Sequence, residues 1–182
     1  MIISASRRTD IPALYSDWFF ERLREGHAMT RNPLNASQVR RVELSPEAVD
    51  GFVFWSKNPQ PMLSRMSLLR DYPYYFQFTL NAYGAPIEPH LPALSERVDT
   101  LLRLSDIAGP ERVLWRYDPI LLSPFHTVAW HAAQFGELAH KLSGRAAAVI
   151  ISFLDPYKKI EKRIAQLGIE TLSDAHKRAI VE

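Results

Sequence analysis

Short β-rich runs alternate along the chain with stretches whose apolar residues recur at helical spacing. Residues 2–6 read as a strand, and residues 52–55, 74–80, 113–117 and 147–153 repeat that character. Residues 13–25 carry Leu14, Trp18 and Leu23 and meet a helix stop at Gly26; residues 61–70 place Met62, Leu63, Met66 and Leu69 on one helical face. A third helix is expected over residues 94–107, with Leu94, Val98, Leu101, Leu102 and Leu104 ahead of Gly109-Pro110. Residues 127–142 and 156–167 predict two more, closed by Ser143-Gly144 and Gly168, and residues 173–182 read as a last helix or a frayed tail. One insertion breaks the rhythm. Residues 27–33 and 38–44 flank Leu34-Asn35-Ala36-Ser37, which suits a β-hairpin outside the main sheet.

Strands that are almost continuously apolar and separated by helices point to a parallel sheet, with right-handed crossovers. A dinucleotide-binding sheet would carry G-x-G-x-x-G after the first strand, where this chain has Ser6-Arg7-Arg8-Thr9-Asp10. No G-x-x-x-x-G-K-[ST] loop exists, and the seven glycines of the chain fall mostly at helix ends. The reading favoured over an open doubly wound sheet is an incomplete (β/α) TIM-barrel-like fold. It would hold about five parallel βα units with an inserted β-hairpin. All 182 residues would form one domain, truncated on its carboxyl-terminal side.

Composition narrows the function classes more than it selects one. Apolar residues make up 47% and charged residues 23%, as in ordinary globular proteins. A net charge of +2 gives no general case for nucleic-acid affinity. The chain has no cysteine, which excludes a disulfide, a thiol nucleophile or a cysteine-ligated cluster built from these residues. The amino terminus turns charged after a short apolar run, unlike a signal peptide, and no apolar run is long enough to span a bilayer. The expectation is a cytoplasmic protein without a membrane partner.

Chemistry is concentrated where each strand gives way to its loop. Ser6-Arg7-Arg8-Thr9-Asp10 follows the first strand and Ser56-Lys57-Asn58-Pro59 the second. Gln77, Thr79 and Asn81 alternate along the third, Arg116-Tyr117-Asp118-Pro119 ends the fourth, and Asp155-Pro156 ends the fifth. Parallel α/β sheets gather these carboxyl-terminal strand ends on one rim, where their sites lie. Lys57, Arg116 and Asp118 are the candidate catalytic residues. Arg7, Arg8, Asp10, Asn58, Gln77, Thr79, Asn81 and Asp155 are the candidate substrate-binding residues.

Strand alternation turns Arg116 and Asp118 to one side, as a structural ion pair or as a cation aimed at an anionic group beside an orienting or basic carboxylate. Lys57 suits a Schiff-base nucleophile, a general base or an anion-binding charge. One of Arg7 and Arg8 is expected to face the rim while the other pairs with Asp10. Ordinary core packing is expected for Trp55 and Trp115, with an aromatic wall including Tyr117 as the alternative. Asp before Pro at positions 118 and 155 is also common turn chemistry. The histidines lack zinc-helix spacing, and no metal site is expected. A carboxylate-only magnesium or manganese site at Asp10, Asp118 and Asp155 is not specified by anything in the sequence.

Three long runs carry a resemblance: residues 3–13 (Ile-Ser-Ala-Ser-Arg-Arg-Thr-Asp-Ile-Pro-Ala), residues 53–59 (Val-Phe-Trp-Ser-Lys-Asn-Pro) and residues 114–121 (Leu-Trp-Arg-Tyr-Asp-Pro-Ile-Leu). With residues 74–80 between them, they resemble a bacterial family catalogued as domain of unknown function 1848. The resemblance brings no established activity. It implies longer members with a carboxyl-terminal cysteine cluster similar to the cluster-binding motif of radical S-adenosylmethionine enzymes. An iron–sulfur cluster is therefore implied for a longer full-length protein, and no cofactor for this cysteine-free chain.

The leading reading is an enzyme acting on a small anionic or polar ligand at the strand ends, although the sequence leaves catalysis itself open. A nucleic-acid-binding or repair-associated module is the alternative, with Arg7, Arg8, Arg31, Arg40 and Arg41 as one basic surface. A non-catalytic remnant is the third, its open barrel edge covered by self-association or by a missing carboxyl-terminal segment.

Overall fold

The structure is a computed structural model and describes residues 1–181. Five strands form one parallel sheet: β1 (Ile2–Ser4), β4 (Gly51–Ser56), β5 (Tyr74–Thr79), β6 (Val113–Ile120) and β7 (Ala148–Phe153). They lie side by side in chain order, so the sheet grows in one direction and never reverses. The expected hairpin is β2 (His27–Asn32) paired antiparallel with β3 (Asn35–Glu43), as a separate two-stranded sheet. Among the described residues the sheet is open and no closed barrel forms.

In-register pairing sorts the strand residues onto two faces. Phe52, Phe54, Phe76, Phe78, Val113, Trp115 and Tyr117 share one face and are buried. Helix α2 (Ser16–Arg24) sets Phe19 edge-on against Phe52 and Phe54, with ring centroids 5.4 and 5.3 Å away. Helix α4 (Leu94–Ala108) adds Leu101 and Leu104 to the same core, and α5 (Val128–Lys141) stacks Phe135 on Trp115 at 5.0 Å. The rings meet in offset or edge-to-face geometry, which their quadrupoles favour. On the opposite face Trp55 is 45% and Tyr75 36% exposed. Parallel sheets usually bury both faces. This one buries the first and leaves the second open.

Several expected elements differ in extent. The helix read over residues 13–25 is broken at Tyr15 into α1 (Ile11–Leu14) and α2, because Tyr15 leaves helical dihedrals. Residues 61–70 split at Arg65 into α3 (Gln60–Leu63) and a 3-10 turn, Met66–Leu69. The hairpin turns at Pro33-Leu34, earlier than the composition suggested, because the Asn32 side chain accepts the Leu34 N–H at 3.0 Å and closes an Asx turn. The helix expected over residues 156–167 is shorter, α6 (Glu161–Gln166). The final stretch forms α7 (Asp174–Val181), capped by Ser173 Oγ on the His176 N–H; Glu182 of that expectation lies outside the described residues.

A buried hydrogen-bond chain fixes α5 to β6. Tyr117 Oη lies 2.9 Å from His131 Nδ1, and His131 Nε2 lies 2.7 Å from the Leu121 carbonyl. A carbonyl only accepts, so Nε2–H donates to it and Tyr117 donates to Nδ1. Burial pushes the His131 pKa below its ordinary value, against the opposing pull of the Leu121 carbonyl, and raises that of Tyr117. The unfolded chain therefore binds a proton at His131 that the folded chain refuses. Stability from this source is complete above the unfolded histidine value of roughly 6.5 and is lost as pH falls through it. Urea unfolding between pH 7 and 5 should show stability falling by up to about 1.4 kcal/mol per pH unit for this one proton. The slope should flatten in His131→Gln. Burial also lowers the His126 value, which contributes to the slope that remains in that variant.

Candidate functional site

Arg116 is the centre of the polar cluster at the strand ends. Its Nε donates to Asp118 Oδ2 at 2.9 Å, its Nη2 donates to the same oxygen, and its Nη1 donates to Gln77 Oε1 at 2.7 Å. Its guanidinium carbon lies 5.2 Å from the centroid of the Trp55 ring. Gln77 is level with Trp55 on β4 and Leu114 on β6, and Thr79 is level with Arg116, so these side chains share the open face. Thr79 is half-buried and makes no side-chain hydrogen bond among the described residues. Asp118 Oδ1 accepts from Ser152 of β7, so both carboxylate oxygens are occupied.

The backbone of this exit is clamped from β5. Asn81 Nδ2 donates to the Asp118 carbonyl at 2.8 Å, and Asn81 Oδ1 accepts the Asp118 N–H at 2.9 Å. Tyr83 Oη donates to the Pro119 carbonyl at 2.8 Å and accepts the Leu121 N–H at 3.2 Å. Asp118-Pro119, in a cis peptide, thus lies inside a bulged strand and not in a turn. The buried Asn81 amide acts on main chain, where the alternation had suggested a side chain open to ligand.

Lys57 follows Ser56, which pairs with Phe78, and so stands level with Thr79. Its Nζ lies 2.5 Å from Glu88 Oε1, while Glu88 Oε2 accepts from Arg97 Nη1 at 3.2 Å. Glu88 and Arg97 side chains are only 6% and 2% exposed, whereas Lys57 is 40% exposed. One carboxylate thus joins two cations, and the outer cation reaches solvent. Burial lowers the Arg97 pKa, and Glu88 counters that shift.

Other candidates lie apart. Asp10 pairs with neither Arg7 nor Arg8, contrary to expectation, because its oxygens are already used. Oδ1 caps α1 through the Ala13 N–H at 3.0 Å, and Oδ2 accepts from Ser56 Oγ at 3.0 Å and the Lys57 N–H at 2.9 Å. It ties the exits of β1 and β4 together. Arg8 instead donates to the Arg31 carbonyl at 2.7 Å, and Arg7 is exposed beside a cleft that lies between β1, α2 and the hairpin. Asn58 borders a separate small cleft with Glu96, Asp99 and Arg103. Asp155 is exposed beyond β7 and makes no hydrogen bond or ion pair with the described residues.

Both aromatic assignments separate by strand parity. Trp115 is core, with Nε1 donating to the Leu80 carbonyl at 2.9 Å, and Tyr117 points to the same helix-covered side. Trp55 lies on the other face and is not core. Sequence reasoning missed Glu88, Arg97 and Tyr83. Arg97 had a signal: three residues after Leu94 and one before Val98, it interrupts the apolar stripe of α4. Glu88 sits in a proline-rich loop with no periodicity to reveal it. Glu88→Gln removes the charge that compensates buried Arg97 and should cost about 3 kcal/mol in urea unfolding. Asp10→Ala loses a helix cap and two strand-exit bonds and should cost about 2 kcal/mol by the same measurement.

Among the described residues no three His, Cys, Asp or Glu side chains gather as a metal site. The cluster implied by the resemblance needs thiolates, and none of the 182 residues is cysteine, so these residues do not fit it. No helix among the described residues is long and apolar enough to cross a membrane. Neither the curated proteins nor the solved structures gave a match. The family model described as Domain of unknown function (DUF1848) matches residues 2–182, and the chain belongs to that family.

Proposed function

We propose that the polar end of the open sheet face binds a small anionic or polar substrate, as the site of an enzyme with a barrel-like arrangement of strands. The observation that carries this reading is Arg116, held in place by Asp118 and Gln77 beside the exposed ring of Trp55. A guanidinium has five N–H groups, and three are engaged here. One hydrogen on each Nη remains for a carboxylate or phosphate oxygen. Trp55 offers a flat apolar wall next to it.

The geometry favours distinct roles for the three candidate catalytic residues. Asp118, with both oxygens taken, orients Arg116 and is not free to act as a base. Lys57, paired with Glu88, supplies positive charge at the rim, a role that its carboxylate partner favours over that of an amine nucleophile. Together Lys57, Arg97 and Arg116 against Glu88 and Asp118 leave one net positive charge, which suits an anion. An iron–sulfur centre working with this site would need ligands from outside these residues.

A thermal-shift series with inorganic phosphate, glycerol phosphate and citrate tests the reading. At least one should raise Tm by several degrees at concentrations well above its Kd. Folded Arg116→Ala and Lys57→Ala should lose that shift, and an unchanged shift in both would remove this site from the proposal. The reading that a second copy or further polypeptide covers the open face rests on exposed Ile2, Trp55 and Tyr75. Sedimentation equilibrium addresses its self-associating form, which predicts dimers; a monomer at micromolar concentration contradicts it.

A further inference from the structure

A second concave region lies outside the strand-end cluster. It is a cleft of about 570 Å³ between the edge strand β1, helix α2 and the hairpin. That size falls in the range of small-ligand pockets. Its floor is apolar: Ala5, Phe19, Ala28, Leu44 and Phe52 are all buried. Its mouth carries exposed Tyr15, Trp18 and Met29.

Charge at the mouth has one sign. Arg7, Arg8, Arg22 and Arg31 line the cleft, and no aspartate or glutamate does. Arg22 is balanced from outside by Glu25, on which both Nη atoms donate at 2.5 and 2.7 Å; its buried Nε has no partner among the described residues. Arg8 is fixed across the mouth by its bond to the Arg31 carbonyl, a neutral acceptor that leaves its charge uncompensated. Arg7 and Arg31 side chains make no ion pair or hydrogen bond with the described residues. Three unbalanced guanidinium groups thus stand over a hydrocarbon floor.

We propose that this cleft binds a small amphipathic anion, with its carboxylate or phosphate on Arg7, Arg8 and Arg31 and its apolar body against Trp18, Met29 and the floor. Charge complementarity selects the anionic head, since guanidinium groups match the planar oxygens of carboxylate and phosphate. The floor selects the body. The lining carries the hydroxyls of Ser4, Thr9, Tyr15 and Thr30 but no side-chain amide or carboxylate to read the edge of a nucleobase, which favours a hydrocarbon or aryl chain over an oligonucleotide. Arg40 and Arg41 sit on the same hairpin but do not line the cleft, so the proposal separates them from Arg7 and Arg31. Nothing in it depends on the Arg116 cluster.

The test is a titration of the full chain with decanoate, followed by tryptophan fluorescence and calorimetry. Decanoate should bind in the micromolar to low millimolar range, and both acetate and decan-1-ol should bind at least about tenfold more weakly. The Arg7→Ala/Arg31→Ala variant should weaken decanoate at least about tenfold, and Trp18→Phe should remove most of the fluorescence change. Arg40→Ala/Arg41→Ala and Arg116→Ala should leave it unaltered. Binding that is absent, equal for decan-1-ol, or indifferent to Arg7 and Arg31 overturns the proposal. So does an oligothymidylate that binds more tightly than decanoate and depends on Arg40 and Arg41. Loss of decanoate binding in Arg116→Ala would assign the ligand to the other site.

Discussion

The aromatic core and the Arg116 cluster both take their positions from the two-residue repeat of parallel strands that grow in one direction and are packed by helices on one side. In such a sheet a residue and its level neighbours on adjacent strands face the same way. Phe54, Phe76 and Val113 therefore form one continuous row, and Trp55, Gln77 and Leu114 another. Helices α2 and α5 bury the first row and its neighbours with aromatic rings, and α4 with leucines. The second row is left with no such cover, and its polar members must satisfy one another. Arg116, Asp118, Gln77 and Ser152 do so across three strands. A slip of one residue in any strand would exchange core for rim.

Polar groups at this rim divide into those that hold the chain and those that keep unused hydrogen-bonding capacity. Asn81 and Tyr83 spend their hydrogen bonds on backbone, joining β5 to β6 at the exits, and Asp10 joins β1 to β4 through the Lys57 N–H and the Ser56 hydroxyl. Glu88 does the same work with charge, since it compensates Arg97 in the core and steadies Lys57 at the surface. What remains is cationic. Arg116 retains two N–H groups and Lys57 reaches solvent, whereas the acids nearby are already engaged. The hairpin side of the molecule has the same imbalance at Arg7, Arg8 and Arg31, over an apolar floor in place of a polar one. Two regions of the chain thus carry excess positive charge, in different surroundings.

Much of the fold was legible because burial imposes periodicity. All five parallel strands, the hairpin and the long helices α4 and α5 follow from apolar spacing, and the Arg116–Asp118 pair follows from strand alternation alone. Short elements were less legible. The breaks at Tyr15 and Arg65 fall within apolar patterns that continue on both sides of them. The two tryptophans show where composition stops helping: Trp55 and Trp115 have similar local sequences, and only the placement of helices makes one core and the other rim. Glu88 was invisible, since a loop carboxylate gains its meaning from an arginine nine residues away on a helix.

By itself the sequence determined the α/β class of architecture, the alternation along each strand and the residues available at the exits, because these depend on local repeat and residue type. It also settled that no thiolate chemistry can come from these residues. The tertiary structure alone decided which face of the sheet is covered, which carboxylate neutralises which cation, and that Arg7 and Arg31 meet across a cleft while Asp10 turns to the backbone. Those outcomes depend on distances between segments remote in the chain, and a polar side chain takes whichever partner folding brings within hydrogen-bond reach.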